Sequence, residues 1–156
     1  DVLMSYVAAG GNLVVQFNTN SFIGPVKARI GPKNFTISRN RVTDENSAIQ
    51  FLEPNDALLN WPNKISQSDF EGWVQERGVY FAEKPGEGVK AILGMRDAGE
   101  KEDQTGSLIV SPHGKGRFIY TGLAFFRQLP AGVPGAYRFF ANLVSNPNTM
   151  INGATK

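Results

Sequence analysis

Apolar residues at the start of the chain recur at helical spacing and then run together. Residues 1–9 are predicted to form a helix whose apolar side chains are Val2, Leu3, Tyr6 and Val7. Gly10 follows and can take the left-handed conformation that ends a helix. The next run, Leu13–Phe17, is nearly all apolar and predicts a buried strand. A short helix, a glycine turn and a strand make half of an α/β repeat.

The middle of the chain has short apolar runs separated by Asn, Gly, Pro and charged residues. Such interruptions predict loops with brief regular elements between them. The predicted elements are an edge strand at Val26–Ile30, strands at Phe35–Ser38 and Ile49–Leu52, one helical turn at Asp56–Asn60, and a short helix at Ser66–Trp73. Ser66 is the N-cap candidate of the last helix, with Asp69 three residues further on.

The second half of the chain is more regular. Strands are predicted at Val79–Ala82, Val89–Met95, Ser107–Ser111 and Arg117–Thr121. The last two are joined by a Gly-rich turn typical of a hairpin, and the charged residues 97–105 predict an exposed, mobile loop. Helices are predicted at Leu123–Leu129 and Gly135–Ser145, the latter with a core face of Tyr137, Phe140, Ala141 and Val144.

These elements predict one α/β domain over residues 1–145, with a mixed sheet flanked by a few helices, followed by a flexible tail at residues 146–156. The length agrees, because 156 residues with 41% hydrophobic content can bury one core but scarcely two. The net charge of +2 creates no field that indicates nucleic acid, and no apolar run is long enough to span a membrane. Zero cysteines exclude disulfides within the chain but leave its compartment open.

Few residues are available for catalysis or metal binding. His113 is the only histidine, it lies in the predicted hairpin turn, and no Gly-x-Ser-x-Gly motif accompanies it. There is no zinc or calcium motif, and Gly114–Gly116 lacks the frame of a phosphate-binding loop. We therefore expect no catalytic residues, no metal and no cofactor. An alternative stays open, a hydrolase with carboxylates drawn from Asp69, Glu71, Glu76 and Glu83.

Aromatic residues supply the candidate binding site. Five of them fall within 21 residues, namely Trp61, Phe70, Trp73, Tyr80 and Phe81, and aromatic faces suit sugar rings or peptide side chains. Core packing is the alternative interpretation, and we prefer it. If the helix from Ser66 persists, Asp69, Trp73 and Arg77 share one face of it and line a shallow pocket. Arg127 is a further candidate, because a guanidinium beside an aromatic ring can bind a carboxylate.

Several segments resemble a known family. Tyr6–Val15 is similar to the helix, Ala-Gly-Gly and strand of class I glutamine amidotransferase-like domains. A further ordered set, Arg41–Glu45, Leu58–Ile65, Asp69–Gly78 and Gly132–Leu143, resembles the C-terminal region of long bacterial proteins that begin with a PIG-L/LmbE-type N-acetylglucosaminyl deacetylase. The likeness extends from about Leu3 to Ser145.

The resemblance implies a glutamine amidotransferase-like (flavodoxin-like) fold that lacks its N-terminal part, in a chain that is the C-terminal part of a longer protein. It also implies a non-catalytic accessory domain. The deacetylase motif Pro-His-x-Asp-Asp is absent from this chain, and so is the amidotransferase cysteine. The expected partners are the deacetylase domain of the same protein and a glycan, and a protein-interaction module is the other alternative.

Overall fold

The computed structural model describes residues 2–18, 27–28 and 31–147, with the backbone alone for residues 27 and 28. Its helices are α1 (Val2–Ala8), α2 (Ala57–Asn60), α3 (Phe125–Gln128) and α4 (Pro134–Val144), with a 3₁₀ helix at Gln67–Phe70. Its strands are β1 (Asn12–Gln16), β2 (Lys27–Ala28), β3 (Phe35–Ile37), β4 (Arg41–Val42), β5 (Gln50–Phe51), β6 (Gly78–Val79), β7 (Ala82–Glu83), β8 (Lys90–Ala91), β9 (Leu93–Gly94), β10 (Leu108–His113) and β11 (Gly116–Thr121).

A four-stranded mixed sheet forms the centre of the fold, in the order β1-β11-β10-β8. β1 runs parallel to β11, whereas β10 is antiparallel to both β11 and β8. Within the described residues, the other strands form three small sheets, β2-β3-β7, β4-β6 and β5-β9. The predicted α/β class with a mixed sheet and a few helices is therefore confirmed.

The two faces of the central sheet bury two separate clusters of side chains. Because side chains alternate along a strand, Ile119 packs into one cluster while its neighbours Phe118 and Tyr120 pack into the other. The first and larger cluster contains Phe139 and Leu143 of α4. The second is covered by the small sheet that contains β3 and β7.

The predicted hairpin is confirmed by the pairing of His113 with Gly116 at the end of β10 and β11. Gly114 adopts a φ of +59°, a left-handed conformation that glycine takes without steric cost. The turn lies against the end of α1, where the Lys115 N–H donates to the carbonyl of Ala8 at 2.9 Å. The predicted first helix is also confirmed, although Val2, Leu3 and Tyr6 are exposed and Val7 is buried.

The predicted core face of α4 is wrong at Tyr137 and Val144, whereas Phe140 is partly buried and packs against the core. Tyr137 and Val144 are exposed, and the buried face consists of Gly135, Ala136, Phe139, Asn142 and Leu143. The face is therefore rotated by about one residue, or roughly 100° around the helix. The polar residue Asn142 lies on this buried face. Its hydrogen bonds with the backbone of Leu58 and Asn63 offset the cost of burying its amide.

Other predicted elements are present but shorter. Val79–Ala82 divides between β6 and β7, and Val89–Met95 divides between β8 and β9. The predicted turn at Asp56–Asn60 is α2, with the Asp56 carboxylate accepting from the Leu58 N–H at 3.0 Å. Of the predicted edge strand Val26–Ile30, residues 27 and 28 form β2 and the others lie outside the described residues, as do residues 148–156 of the tail. Among the described residues, no helix has the length and apolar character needed to span a membrane.

Candidate aromatic binding site

The helix expected to carry Asp69, Trp73 and Arg77 ends at Phe70, so the predicted shared helical face is wrong. The chain leaves the helix at Glu71, which is extended with a ψ of 145°, and Gly72 then adopts a left-handed φ of +69°. All three side chains are buried, with 6% or less of each residue exposed. The structure brings them together as part of the protein interior, and they line neither of the two open cavities described below. Their role in ligand binding stays a prediction.

Asp69 joins the 3₁₀ helix to α4. Its Oδ1 accepts from Arg138 Nε at 2.7 Å, and its Oδ2 accepts from the Ser66 N–H at 2.9 Å. Its backbone carbonyl accepts from the indole Nε1 of Trp73 at 3.0 Å. The carboxylate of Asp69 and the indole N–H of Trp73 thus both have hydrogen-bond partners within the fold, as buried polar groups require.

Arg77 is a buried cation held by backbone carbonyls. Its Nη1 donates to Phe70 O at 2.6 Å, and its Nε and Nη2 both donate to Ser47 O. The guanidinium also lies over the rings of Phe70 and Trp73. Burial lowers the pKa of Arg77 to about 10, while the charges of Asp44 and Glu45 act in the opposite direction. The side chain is therefore charged at neutral pH.

Arg127 is the one predicted site residue that reaches an exposed surface. Its guanidinium carbon lies 5.1 Å from the ring centroid of Phe126, and its Nε donates to Glu76 Oε1 at 2.8 Å. The Arg127 side chain keeps 37% of its surface exposed. The predicted pairing of a guanidinium with an aromatic ring is present here.

Phe126 belongs to a cluster of three aromatic rings, which we call the aromatic platform: Phe17, Tyr80 and Phe126. The ring of Phe17 lies 5.1 Å from that of Tyr80 in an edge-on arrangement and 4.8 Å from that of Phe126. Phe17 is 37% exposed and Phe126 is 44% exposed. A contiguous aromatic surface on the outside of the fold is unusual, because large apolar side chains are normally buried.

The platform lies at one edge of the central sheet. Phe17 directly follows β1, and Phe126 lies in α3, shortly after β11. Because β1 and β11 are parallel, their carboxyl ends meet at the same edge. In α/β sheets this is the edge at which ligands usually bind.

Two of the platform residues adopt backbone conformations that bulky side chains rarely take. The φ of Phe17 is 35° and that of Tyr80 is 58°. Neighbouring groups hold them in place: the Phe17 N–H donates to Thr121 O at 2.8 Å, and the buried hydroxyl of Tyr120 donates to Tyr80 O at 2.5 Å. Burial raises the pKa of Tyr120 to about 12, so this hydroxyl keeps its proton and remains a donor. Strained positions of this kind are often found at functional sites.

Two open cavities lie elsewhere, on either side of the charged loop 97–106. One, of about 530 Å³, is lined by Asn40 and Glu83 together with residues 100–106. The other, of about 420 Å³, is lined by Asp44, Gln50 and Asp103 together with residues 46–48 and 96–100. Both are rich in carboxylates, but the described residues contain no group of three or more His, Cys, Asp or Glu side chains able to hold a metal ion.

The sequence did not single out Phe17 or Phe126, and it grouped Tyr80 with residues that are in the core. Phe70, Trp73 and Phe81 are buried, which confirms core packing for these three. One signal was available: Phe17 and Phe126 both follow apolar strands, and parallel pairing of those strands places both at one edge. Nothing in the local sequence marks Tyr80.

Comparisons with known proteins give little. No protein-family model matches the sequence, and no curated protein matches it either. Among solved structures, a β-galactosidase from Rahnella sp. R3 overlaps with 93% of this chain at a TM-score of 0.43 and 18% sequence identity. The chain spans 20% of the length of that enzyme. An overlap of this quality assigns neither a fold family nor an activity to the chain.

Proposed function

We propose that this chain is a non-catalytic accessory domain of a larger carbohydrate-active bacterial protein of the PIG-L/LmbE deacetylase type, and that its aromatic platform binds a glycan. A glutamine amidotransferase-like fold is part of the same proposal. It is supported by the helix, glycine turn and strand formed by α1, Gly10 and β1, and by the parallel pairing of β1 with β11. The observation that carries the binding function is the exposed contact of Phe17 with Tyr80 and Phe126.

The platform has the chemistry that a sugar ring requires. The rings of Phe17 and Phe126 offer apolar faces for the C–H groups of a pyranose. Tyr80 adds a phenolic hydroxyl, and the Arg127–Glu76 pair beside Phe126 adds charged hydrogen-bonding groups at the rim. A few polar groups beside an apolar surface are typical of small-ligand sites.

The separate partners of the candidate carboxylates favour a binding role over the alternative function as a hydrolase. Asp69 pairs with Arg138, Glu76 pairs with Arg127, and Glu83 accepts a hydrogen bond from Asn40. Three of the four candidate carboxylates thus have separate partners within the fold. A glycosidase needs two carboxyl groups that face the same substrate bond.

The experiment is a titration of the purified chain with a chitin oligosaccharide, followed by calorimetry and by the amide resonances of the platform. Phe126→Ala is the test variant, and Tyr137→Ala is the matched control, because Tyr137 is also an exposed aromatic but lies in α4, outside the platform. We expect Phe126→Ala to bind about tenfold more weakly, which corresponds to a loss of roughly 1.4 kcal/mol. Tyr137→Ala should bind as the parent chain does.

Two results would overturn the proposal. If the parent chain binds no oligosaccharide, the proposal that it binds a glycan is wrong. If both variants bind the oligosaccharide equally well, the aromatic platform is not the binding site. Release of reducing sugar during the titration would instead favour the hydrolase. Folding of each variant is checked by circular dichroism before binding is compared.

A further inference from the structure

The segment that carries Glu76 is tied to α3 by a buried side chain. Gln128 is fully buried, and its Oε1 accepts from the Val74 N–H at 2.7 Å. Its Nε2 donates to Val74 O at 3.0 Å and to Glu76 O at 3.2 Å. Phe126 and Arg127 belong to the same short helix. Three consecutive residues of α3 thus provide a ring of the aromatic platform, a charge beside it and the anchor for Glu76.

Glu76 occupies one side of the Arg127 guanidinium. Its Oε1 lies 2.8 Å from Arg127 Nε, and its side chain is 12% exposed, whereas that of Arg127 is 37% exposed. Among the described residues, neither terminal nitrogen of Arg127 nor the second carboxylate oxygen of Glu76 has a hydrogen-bond partner. The carboxylate that the sequence led us to expect as a ligand of Arg127 is therefore supplied by the chain itself.

The Arg127–Glu76 pair lies beside the platform and carries no net charge. The guanidinium carbon is 5.1 Å from the ring centroid of Phe126. The terminal nitrogens of Arg127 are donors and the second oxygen of Glu76 is an acceptor. A sugar hydroxyl can both donate and accept, and an N-acetyl group has one donor and one acceptor. Uncharged sugar groups can therefore bond to both members of the pair without separating them.

We infer that the platform selects uncharged sugars, such as N-acetylated hexosamines, over the same sugars carrying an amine or a carboxylate. This inference rests on the proposed glycan-binding function and adds the chemical class of the ligand. A carboxylate would compete for the guanidinium and leave the mostly buried Glu76 without its partner. An ammonium group would meet the exposed positive charge of Arg127. Unfavourable contacts of this kind are a source of specificity.

Two substitutions that each remove one charge should change the selectivity in opposite directions. Glu76→Gln leaves the guanidinium without its carboxylate, so carboxylated sugars should bind about fivefold more tightly than to the parent chain and amino sugars about fivefold more weakly, as for one exposed ion pair. Arg127→Gln leaves the carboxylate without its cation and should have the reverse effect. Asp103→Asn and Arg96→Gln are the matched controls, because they remove the same charges from an ion pair outside the platform and should leave the selectivity unchanged.

The measurement is a calorimetric titration of each protein with three oligosaccharides of equal length. They are a chitin oligosaccharide, its de-N-acetylated form, and the chitin oligosaccharide with its primary hydroxyls oxidised to carboxylates. The pH is mildly acid, so that the sugar amines are protonated while the sugar carboxylates are ionised. We expect the parent chain to bind the uncharged oligosaccharide most tightly. Arg127→Lys keeps the positive charge and should keep this preference.

The outcomes separate this inference from the proposed function. A parent chain that binds the chitin oligosaccharide but prefers either charged form overturns the inference and leaves glycan binding intact. Glu76→Gln and Arg127→Gln variants that shift the selectivity in the same direction, or no more than the Asp103→Asn and Arg96→Gln controls do, overturn it as well. If the parent chain binds none of the three oligosaccharides, the proposed function and this inference are both wrong.

Discussion

The guanidinium carbon of Arg77 lies 5.6 Å from the centroid of the Trp73 ring, and both residues are buried. Phe70 lies on the same guanidinium at 5.7 Å, and its carbonyl accepts a hydrogen bond from it. A charge inside the core is stable when its hydrogen bonds are satisfied and its surroundings are polarisable. Arg77 thus ties the segment that follows the 3₁₀ helix to the loop at Ser47.

Replacement of Arg77 by Leu should lower the free energy of unfolding by about 3 kcal/mol, because Ser47 O and Phe70 O lose their donor inside the protein. Arg127→Leu is the matched control. Arg127 is more than a third exposed and makes one ion pair, so its loss should cost no more than about 1 kcal/mol. Urea unfolding followed by tryptophan fluorescence measures both. Equal losses for the two variants would contradict the structural role of Arg77.

Asn142 connects α4 to the segment after α2. It is fully buried, its Nδ2 donates to Leu58 O and Asn63 O, and its Oδ1 accepts from the Asn63 N–H. Asn142→Leu keeps the branched shape of the side chain, with bulkier methyl groups, but leaves three backbone groups without a partner, so we expect a loss of about 3 kcal/mol or more. Asn60→Leu is the control, because Asn60 is exposed and its carbonyl partners can bond to water. Thermal unfolding of the two variants should differ by several degrees.

The elements that the sequence predicts correctly are those with strong local signals. The hairpin of β10 and β11 follows from two β-rich runs around a Gly-rich turn, and α1 follows from helical spacing before Gly10. The helix at Ser66 was predicted too long, because the apolar pattern continues through Trp73 although the chain leaves the helix at Glu71. The apolar pattern correctly predicts that Trp73 is buried, but it does not predict that the backbone there is no longer helical.

The candidate site lay beyond local sequence reasoning for a different reason. Phe17, Tyr80 and Phe126 come from three distant parts of the chain, and their contact depends on the parallel pairing of β1 with β11. Burial of Arg77 is equally hard to predict, because arginine is almost never fully buried unless it is paired. Its carbonyl partners are backbone groups, which no sequence pattern identifies.

Gln75 offers a test of backbone strain outside the platform. It is exposed and adopts a φ of 70°, which costs an L-residue about 1 to 2 kcal/mol. Gln75→Gly removes this cost but adds entropy to the unfolded chain, so we expect a net gain in stability of about 0.5 kcal/mol. Glu71→Gly is the control, because Glu71 is exposed with an ordinary φ of −74° and should lose stability on the same change. Chemical unfolding distinguishes the two, and a loss for both variants would count against strain at Gln75.

Asp97 should make the stability of the chain depend on acid pH. Its carboxylate accepts hydrogen bonds from the Thr43 N–H, the Thr43 hydroxyl and the Asp44 N–H. Burial raises the pKa of Asp97, but these bonds and the nearby charge of Arg41 outweigh it and hold the pKa below its ordinary value of 3.8. The unfolded chain therefore takes up this proton at a higher pH than the folded chain does. The resulting stabilisation is fully present above pH 3.8 and is lost as the pH falls through the folded-state value.

Asp97→Asn should consequently be less stable than the parent chain by a constant amount from neutral pH down to mildly acid pH, and the difference should shrink once the pH falls below 3.8. The measurement is urea unfolding of both proteins at a series of pH values. Glu102→Gln serves as the control, because Glu102 is an exposed carboxylate of the same loop without a hydrogen bond to the described part of the chain. If the difference in unfolding free energy between Asp97→Asn and the parent chain stays constant into strong acid, the lost interaction does not depend on the charge of the carboxylate. The hydrogen bonds between Asp97 and Thr43 would then not account for the pH dependence.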